Sequence, residues 1–147
     1  MVEKKTVKKT VKRSGLKVSD LVIDDEFEMV PVTATGKQAA EKLLDIPRGV
    51  VIVVNADKKP EGVITAREFL SVIVDGNNPV KMSVRKLMNT DIMEIPYSGL
   101  LDKIVPKVRE RDPYAVIVVD KEGRLKGYFS PKDYQEALAR INYVPPM

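Results

Sequence analysis

The sequence predicts a mixed α/β (α+β) fold in which one β-α-β-β-α unit is written twice. Three observations carry this. At a constant offset of 65 residues, Val30-Pro31 falls on Ile95-Pro96 and the run VIVV at 51–54 falls on VIVV at 116–119. At the same offset Gly62, Thr65 and Glu68 fall on Gly127, Ser130 and Asp133, and an ordered series of this kind marks a structural repeat. Lastly, apolar residues make up 44% of the 147, enough for a packed core, yet each copy of ~60 residues is marginal alone, so the two must share a hydrophobic face.

The elements follow in chain order. The openings VSDLV (18–22) and VRKLM (84–88) match once one residue is dropped after them. EFEMVPV (26–32) reads as a short strand ended near Pro31. Thr35 is an N-cap whose capping box is completed by Gln38, and the helix after it places Ala39, Ala40, Leu43 and Leu44 on one face. VVIVV (50–54) is too short and too β-branched for a helix, and its lack of alternation predicts burial on both faces. NADKKP (55–60) turns the chain into a second strand, and the next helix carries Phe69, Leu70 and Ile73. DGNNP (75–79) is turn chemistry and links the copies. In the second copy DKEGR (120–124) makes the matching turn, and the last helix runs from about Pro131 to Ile141. Pro106 stands inside that copy's first helix, where a proline removes a hydrogen bond and costs ~3 kcal/mol unless the helix is short or kinked. The predicted organisation is a basic arm (1–15), unit 1 (16–78), unit 2 (79–143) and an extended tail (144–147).

Composition narrows the function. The chain has no Cys and no His, which removes thiolate and imidazole catalysis and nearly every zinc site, leaving only a hard-cation site of carboxylates and carbonyls. No nucleophile–base pair or metal cluster is visible, so the expectation is a protein that is not an enzyme, holds no metal and requires no cofactor. No apolar run approaches the ~20 residues of a membrane span and the N-terminus lacks a signal-peptide core, so the expected location is cytoplasmic, without membrane insertion. The net charge of +4 is unevenly divided: Lys4, Lys5, Lys8, Lys9, Lys12, Arg13 and Lys17 against Glu3 make the first seventeen residues +6, and the rest −2. The arm KKTVKKTVKR is either a solvated tail or a non-specific attractor of phosphate, in nucleic acid or at an anionic surface. It has no aromatic residue for base stacking.

The repeated phrase carries the chemistry. It reads GVITARE at 62–68 and GYFSPKD at 127–133. Gly62 and Gly127 let another backbone approach closely. Thr65 and Ser130 stand where a strand becomes a helix, beside unpaired N–H groups and the positive end of the helix dipole, which suits a phosphate. Glu68 and Asp133, one turn on, are acceptors for the vicinal hydroxyls of a ribose, and Arg67 and Lys132 supply counter-charge. The same four-residue pattern is also a capping box that needs no ligand, with Pro131 at the favoured first helical position.

Taken together, the doubled β-α-β-β-α unit and the G-x-x-[ST]-x-x-[DE] corner after an apolar strand resemble a tandem pair of CBS (cystathionine-β-synthase) domains, over roughly residues 16–142. The resemblance implies an intramolecular pair with pseudo-two-fold symmetry, usually dimerised further. It also implies clefts between the units that bind AMP, ADP, ATP or S-adenosylmethionine, with Gly127, Ser130, Lys132, Asp133, Thr65, Arg67 and Glu68 as ligand-binding residues and occupancy signalled to a protein partner. The alternative is a ligand-free dimerisation or interaction module whose arm contacts nucleic acid or protein. A homodimer is expected on either account, over helix faces carrying Phe69, Leu70, Leu138 and Ile141. The ribose acid is normally Asp in this family, so Glu68 is a departure that extends the carboxylate by one methylene, and the second copy is the better candidate.

Overall fold

Two three-stranded sheets form where the repeat places its valine-rich runs. In the computed structural model, which describes residues 15–141, the first sheet comprises β1 (Phe27–Pro31), β2 (Val50–Val54) and β3 (Pro60–Ile64) in that order. The second repeats it with β4 (Ile92–Pro96), β5 (Ala115–Val119) and β6 (Leu125–Phe129). The expectations for the basic arm at 1–14 and the tail at 142–147 lie outside the described residues. β1 runs parallel to β2 with Phe27 opposite Val50, and β4 runs parallel to β5 with Ile92 opposite Ala115. β3 and β6 return antiparallel, and the register slips at Val53/Val54 and again at Val118/Val119. Even this irregularity is repeated, because the turns are built alike. Asn55 Oδ1 accepts the N–H groups of Asp57 and Lys59, and Asp120 Oδ1 accepts those of Glu122 and Arg124. Both turns pass through a left-handed residue, at Lys58 (φ 62°) and at Gly123 (φ 81°).

The helices are α1 (Gly36–Leu44), α2 (Ala66–Val74), the short α3 (Val84–Leu87), α4 (Leu101–Arg111) and α5 (Pro131–Ile141), with a 3₁₀ turn at Val18–Asp20. The capping box at Thr35 forms as expected, with Thr35 N–H donating to Gln38 Oε1 at 3.0 Å. Two expected helix faces are narrower than the periodicity implied. Leu44, the last residue of α1, is 82% exposed, and Leu70 and Ile73 on α2 are 61% and 56% exposed. Only Phe69 and Val72 of α2 pack on the first core. Pro106 neither ends nor shortens α4, which runs for 11 residues.

β2 and β5 are buried along their whole length. Val50, Ile52, Val54 and Val63 meet Ala115, Ile117, Val119 and Tyr128, so the two units pack sheet against sheet, as the missing alternation predicted. The opposite faces complete two outer cores, and these exchange partners. Val84 and Leu87, which open the second copy, pack with Val30, Ala39, Val51 and Ile64 of the first. Val18, Leu21 and Ile23, which open the first copy, pack with Leu101, Val105, Phe129 and Ala137 of the second. Backbone bonds fix the exchange: Val63 and Asn89 bond each other's carbonyls at 2.9 and 2.8 Å, and Tyr128 N–H donates to the Ile23 carbonyl at 2.8 Å. Gly62 and Gly127 allow this approach. A Cβ on Gly62 would stand 2.7 Å from Met88 Sδ, and one on Gly127 would stand 2.6 Å from the Ile23 carbonyl oxygen.

Candidate ligand-binding site

Each unit ends its sheet in a strand-to-helix corner, and each corner draws its predicted hydroxyl and acid together. At the first, between β3 and α2, Thr65 is the N-cap and its Oγ1 accepts the Arg67 N–H at 3.2 Å. Glu68 reaches back, its Oε1 accepting from Thr65 N–H at 2.6 Å and Thr65 Oγ1 at 2.8 Å. Its other oxygen is taken from across the molecule, where the Tyr114 hydroxyl donates to Glu68 Oε2 at 2.7 Å and lies 3.1 Å from Thr65 Oγ1. Burial pushes the Tyr114 phenol above its ordinary pKa; the Thr65 bond opposes this and the Glu68 carboxylate adds to it. Arg67 is exposed and lines a cleft of about 520 Å³ with Glu68, Ser71, Lys86, Asn89 and Thr90. This cleft does lie between unit 1 and the start of unit 2.

At the second corner, between β6 and α5, Ser130 and Asp133 are the buried polar residues of the core, 2% and 7% exposed. Asp133 Oδ2 accepts both the N–H and the Oγ–H of Ser130 at 3.0 Å, and Ser130 Oγ accepts the Asp133 N–H at 3.1 Å. Burial raises the Asp133 pKa above the usual carboxylate value; the Ser130 bonds oppose this, and the charges of Asp25 and Glu26 reinforce it. Beside Ser130 opens a cavity of about 290 Å³, walled by Val116, Phe129 and Tyr134 and reached by Tyr114, Ala115 and Arg109. Its lining comes entirely from residues 108–135, within unit 2. Lys132 is exposed on the first turn of α5, and Gly127 is enclosed by Ile23.

Both corners are therefore complete capping boxes. What distinguishes them is Tyr114, which sequence inspection passed over. Its signal lay in a difference between the copies: the residue before VVIVV is Gly49 and the residue before AVIVV is Tyr114. The acidic run Asp24-Asp25-Glu26 was missed as well, because it is far in sequence from the corner it influences.

The model of the CBS domain matches this sequence at two places, residues 18–75 and 84–140. The chain belongs to the CBS domain family. Paired CBS domains are regulatory, non-catalytic modules. The fold agrees with a CBS domain pair/ACT domain protein from Thermotoga maritima, at a TM-score of 0.65 and 23% identity over 84% of this chain and 97% of that one. It agrees equally with a CBS domain protein from Pyrobaculum aerophilum complexed with AMP, at a TM-score of 0.66 and 21% identity over 84% and 99%. An uncharacterized protein of Methanopyrus kandleri is 26% identical over 102 residues, which is 69% of this CBS chain and 52% of the relative. The chain thus spans about half the length of that relative. Among the described residues no helix is long and apolar enough to cross a membrane.

Proposed function

We propose that this CBS pair is a cytoplasmic regulatory module, without catalysis of its own, that binds an adenosine compound at the Ser130/Asp133 corner and signals occupancy to a protein partner. The cavity beside Ser130 carries the proposal: about 290 Å³ with apolar and aromatic walls for a base, lined by Ser130 at a helix N-terminus, whose hydroxyl is bonded to the buried Asp133 carboxylate. The AMP held by the Pyrobaculum aerophilum protein supports the ligand class. Gly127 shapes the strand, Ser130 and Asp133 meet the ribose phosphate, and Lys132 contributes charge; Thr65, Arg67 and Glu68 are the equivalent set of the first corner.

Calorimetry and thermal unfolding test this. At 100 times Kd the ligand should stabilise the chain by about 2.7 kcal/mol. Asp133→Ala should weaken AMP binding by about tenfold or more, since it removes a charged acceptor. If AMP, ATP and S-adenosylmethionine all fail to bind at millimolar concentration, the corner is a helix cap only and the chain is a ligand-free interaction module whose basic arm contacts nucleic acid or protein.

For assembly we propose a homodimer through α2. Phe69 packs on the first core, and Leu138 and Ile141 pack on the second, so of the four residues expected at the interface Leu70 remains, joined by Ile73 and by Val74 at 84% exposure. Light scattering should give twice the 16.4 kDa chain mass, and Leu70→Glu should return it to one chain. A wild-type mass of one chain at high concentration would refute the dimer.

A further inference from the structure

We infer that Tyr114 closes the first corner by standing in for a ribose, so that the two corners are unequal and the chain takes one nucleotide instead of two. This rests on the reading of the corners given above. A carboxylate that receives a ribose does so by accepting two neighbouring hydroxyls, and Glu68 already accepts two. Thr65 Oγ1–H serves Oε1 at 2.8 Å, and the Tyr114 phenol serves Oε2 at 2.7 Å from 46 residues away in sequence. The Thr65 N–H adds a third bond to Oε1 at 2.6 Å, so both oxygens of the acid are occupied by the protein's own donors. The contact between the Tyr114 and Thr65 oxygens, 3.1 Å, completes a compact cluster of the protein's own donors around the acid.

The second corner repeats the box without the phenol. Both Ser130 bonds fall on one oxygen, Asp133 Oδ2, as both Thr65 bonds fall on Glu68 Oε1, whereas the Tyr114 bond belongs to the first corner. The repeat places Gly49 where the other copy has Tyr114, and a glycine has no side chain with which to reach across to the opposite corner. The longer acid fits the same account. The extra methylene of Glu68 lets its carboxylate hold Thr65 through Oε1 and the Tyr114 phenol through Oε2 at once. Tyr114 also shapes the site that remains open, because the same residue lines the cavity at Ser130. One side chain therefore ties unit 2 to the corner of unit 1 and forms part of the wall of the other site.

The test is the number of AMP molecules bound at saturation, measured by calorimetry on the full chain. Wild type should bind one per chain, and Asp133→Ala should lose it. Tyr114→Gly, which copies Gly49, should bind two, the new one being abolished by Glu68→Ala in the same background; the original site should weaken, because it loses a wall. If Tyr114→Gly does not fold, Tyr114→Ala removes the same phenol and gives the same count. Two AMP per wild-type chain would overturn the inference, as would a single AMP after Tyr114 is removed. Should wild type bind none, a Glu68-dependent site appearing in Tyr114→Gly would uphold the closure while refuting the Ser130 site, and no binding in either protein would refute both.

Discussion

Phe129→Ala should lower folding stability by about 3–5 kcal/mol. Phe129 is buried at the end of β6, in the core that Val116, Val118 and Ala137 build with the exchanged residues Val18, Leu21 and Ile23. Its ring meets Tyr134 edge to face, with centroids 6.4 Å apart and planes at 85°, a geometry worth about 0.5–1.5 kcal/mol beyond area burial. The ring also borders the cavity of about 290 Å³, so truncation enlarges a space already present and the neighbours have less reason to close over it. Against a total of about 5–15 kcal/mol for a domain, such a loss is a large fraction. Urea unfolding should show the midpoint falling with an unchanged slope. Leu44→Ala, on an exposed side chain, should stay within about 0.5 kcal/mol and serves as the control. A Phe129→Ala loss as small as the control would mean that the ring is not packed as described.

What the sequence disclosed was whatever is local or periodic. The uniform run VVIVV announced a strand buried on both faces, and both copies obey it. The boxes at Thr35, Thr65 and Ser130 were legible because a cap is settled within four residues. The exchange of opening segments was not. VSDLV and VRKLM show that each needs apolar cover, and either core satisfies that need; the choice is made by backbone bonds such as Tyr128 to Ile23, more than a hundred residues apart. Leu44 and Leu70 show the same limit, since helical spacing names a face without naming what covers it. At the candidate site the hydroxyl and acid of each corner were visible, but Tyr114 was not, because its bond to Glu68 joins two units and has no trace in local spacing.

The pairing of the sheets makes the largest demand on the protein as a whole. Ile52 and Ile117 are the third residues of five-residue strands, 65 positions apart and fully buried in the shared core. Ile52→Ala or Ile117→Ala should each cost about 2–5 kcal/mol, and the two together should leave little of a stability of about 5–15 kcal/mol. Milder changes measure the coupling. Ile52→Val and Ile117→Val should each cost about 0.5–1.5 kcal/mol, and their double-mutant cycle should give an interaction of at least about 0.5 kcal/mol, because the residues share one packed layer. The unfolding transition should remain single in every variant. Each unit relies on the other for the inner layer and, through the exchanged segments, for part of its outer core, so neither unit has a complete core with which to survive alone. Additive single effects, or two separated transitions, would show that the units stand independently and that the sheets are not joined through these isoleucines.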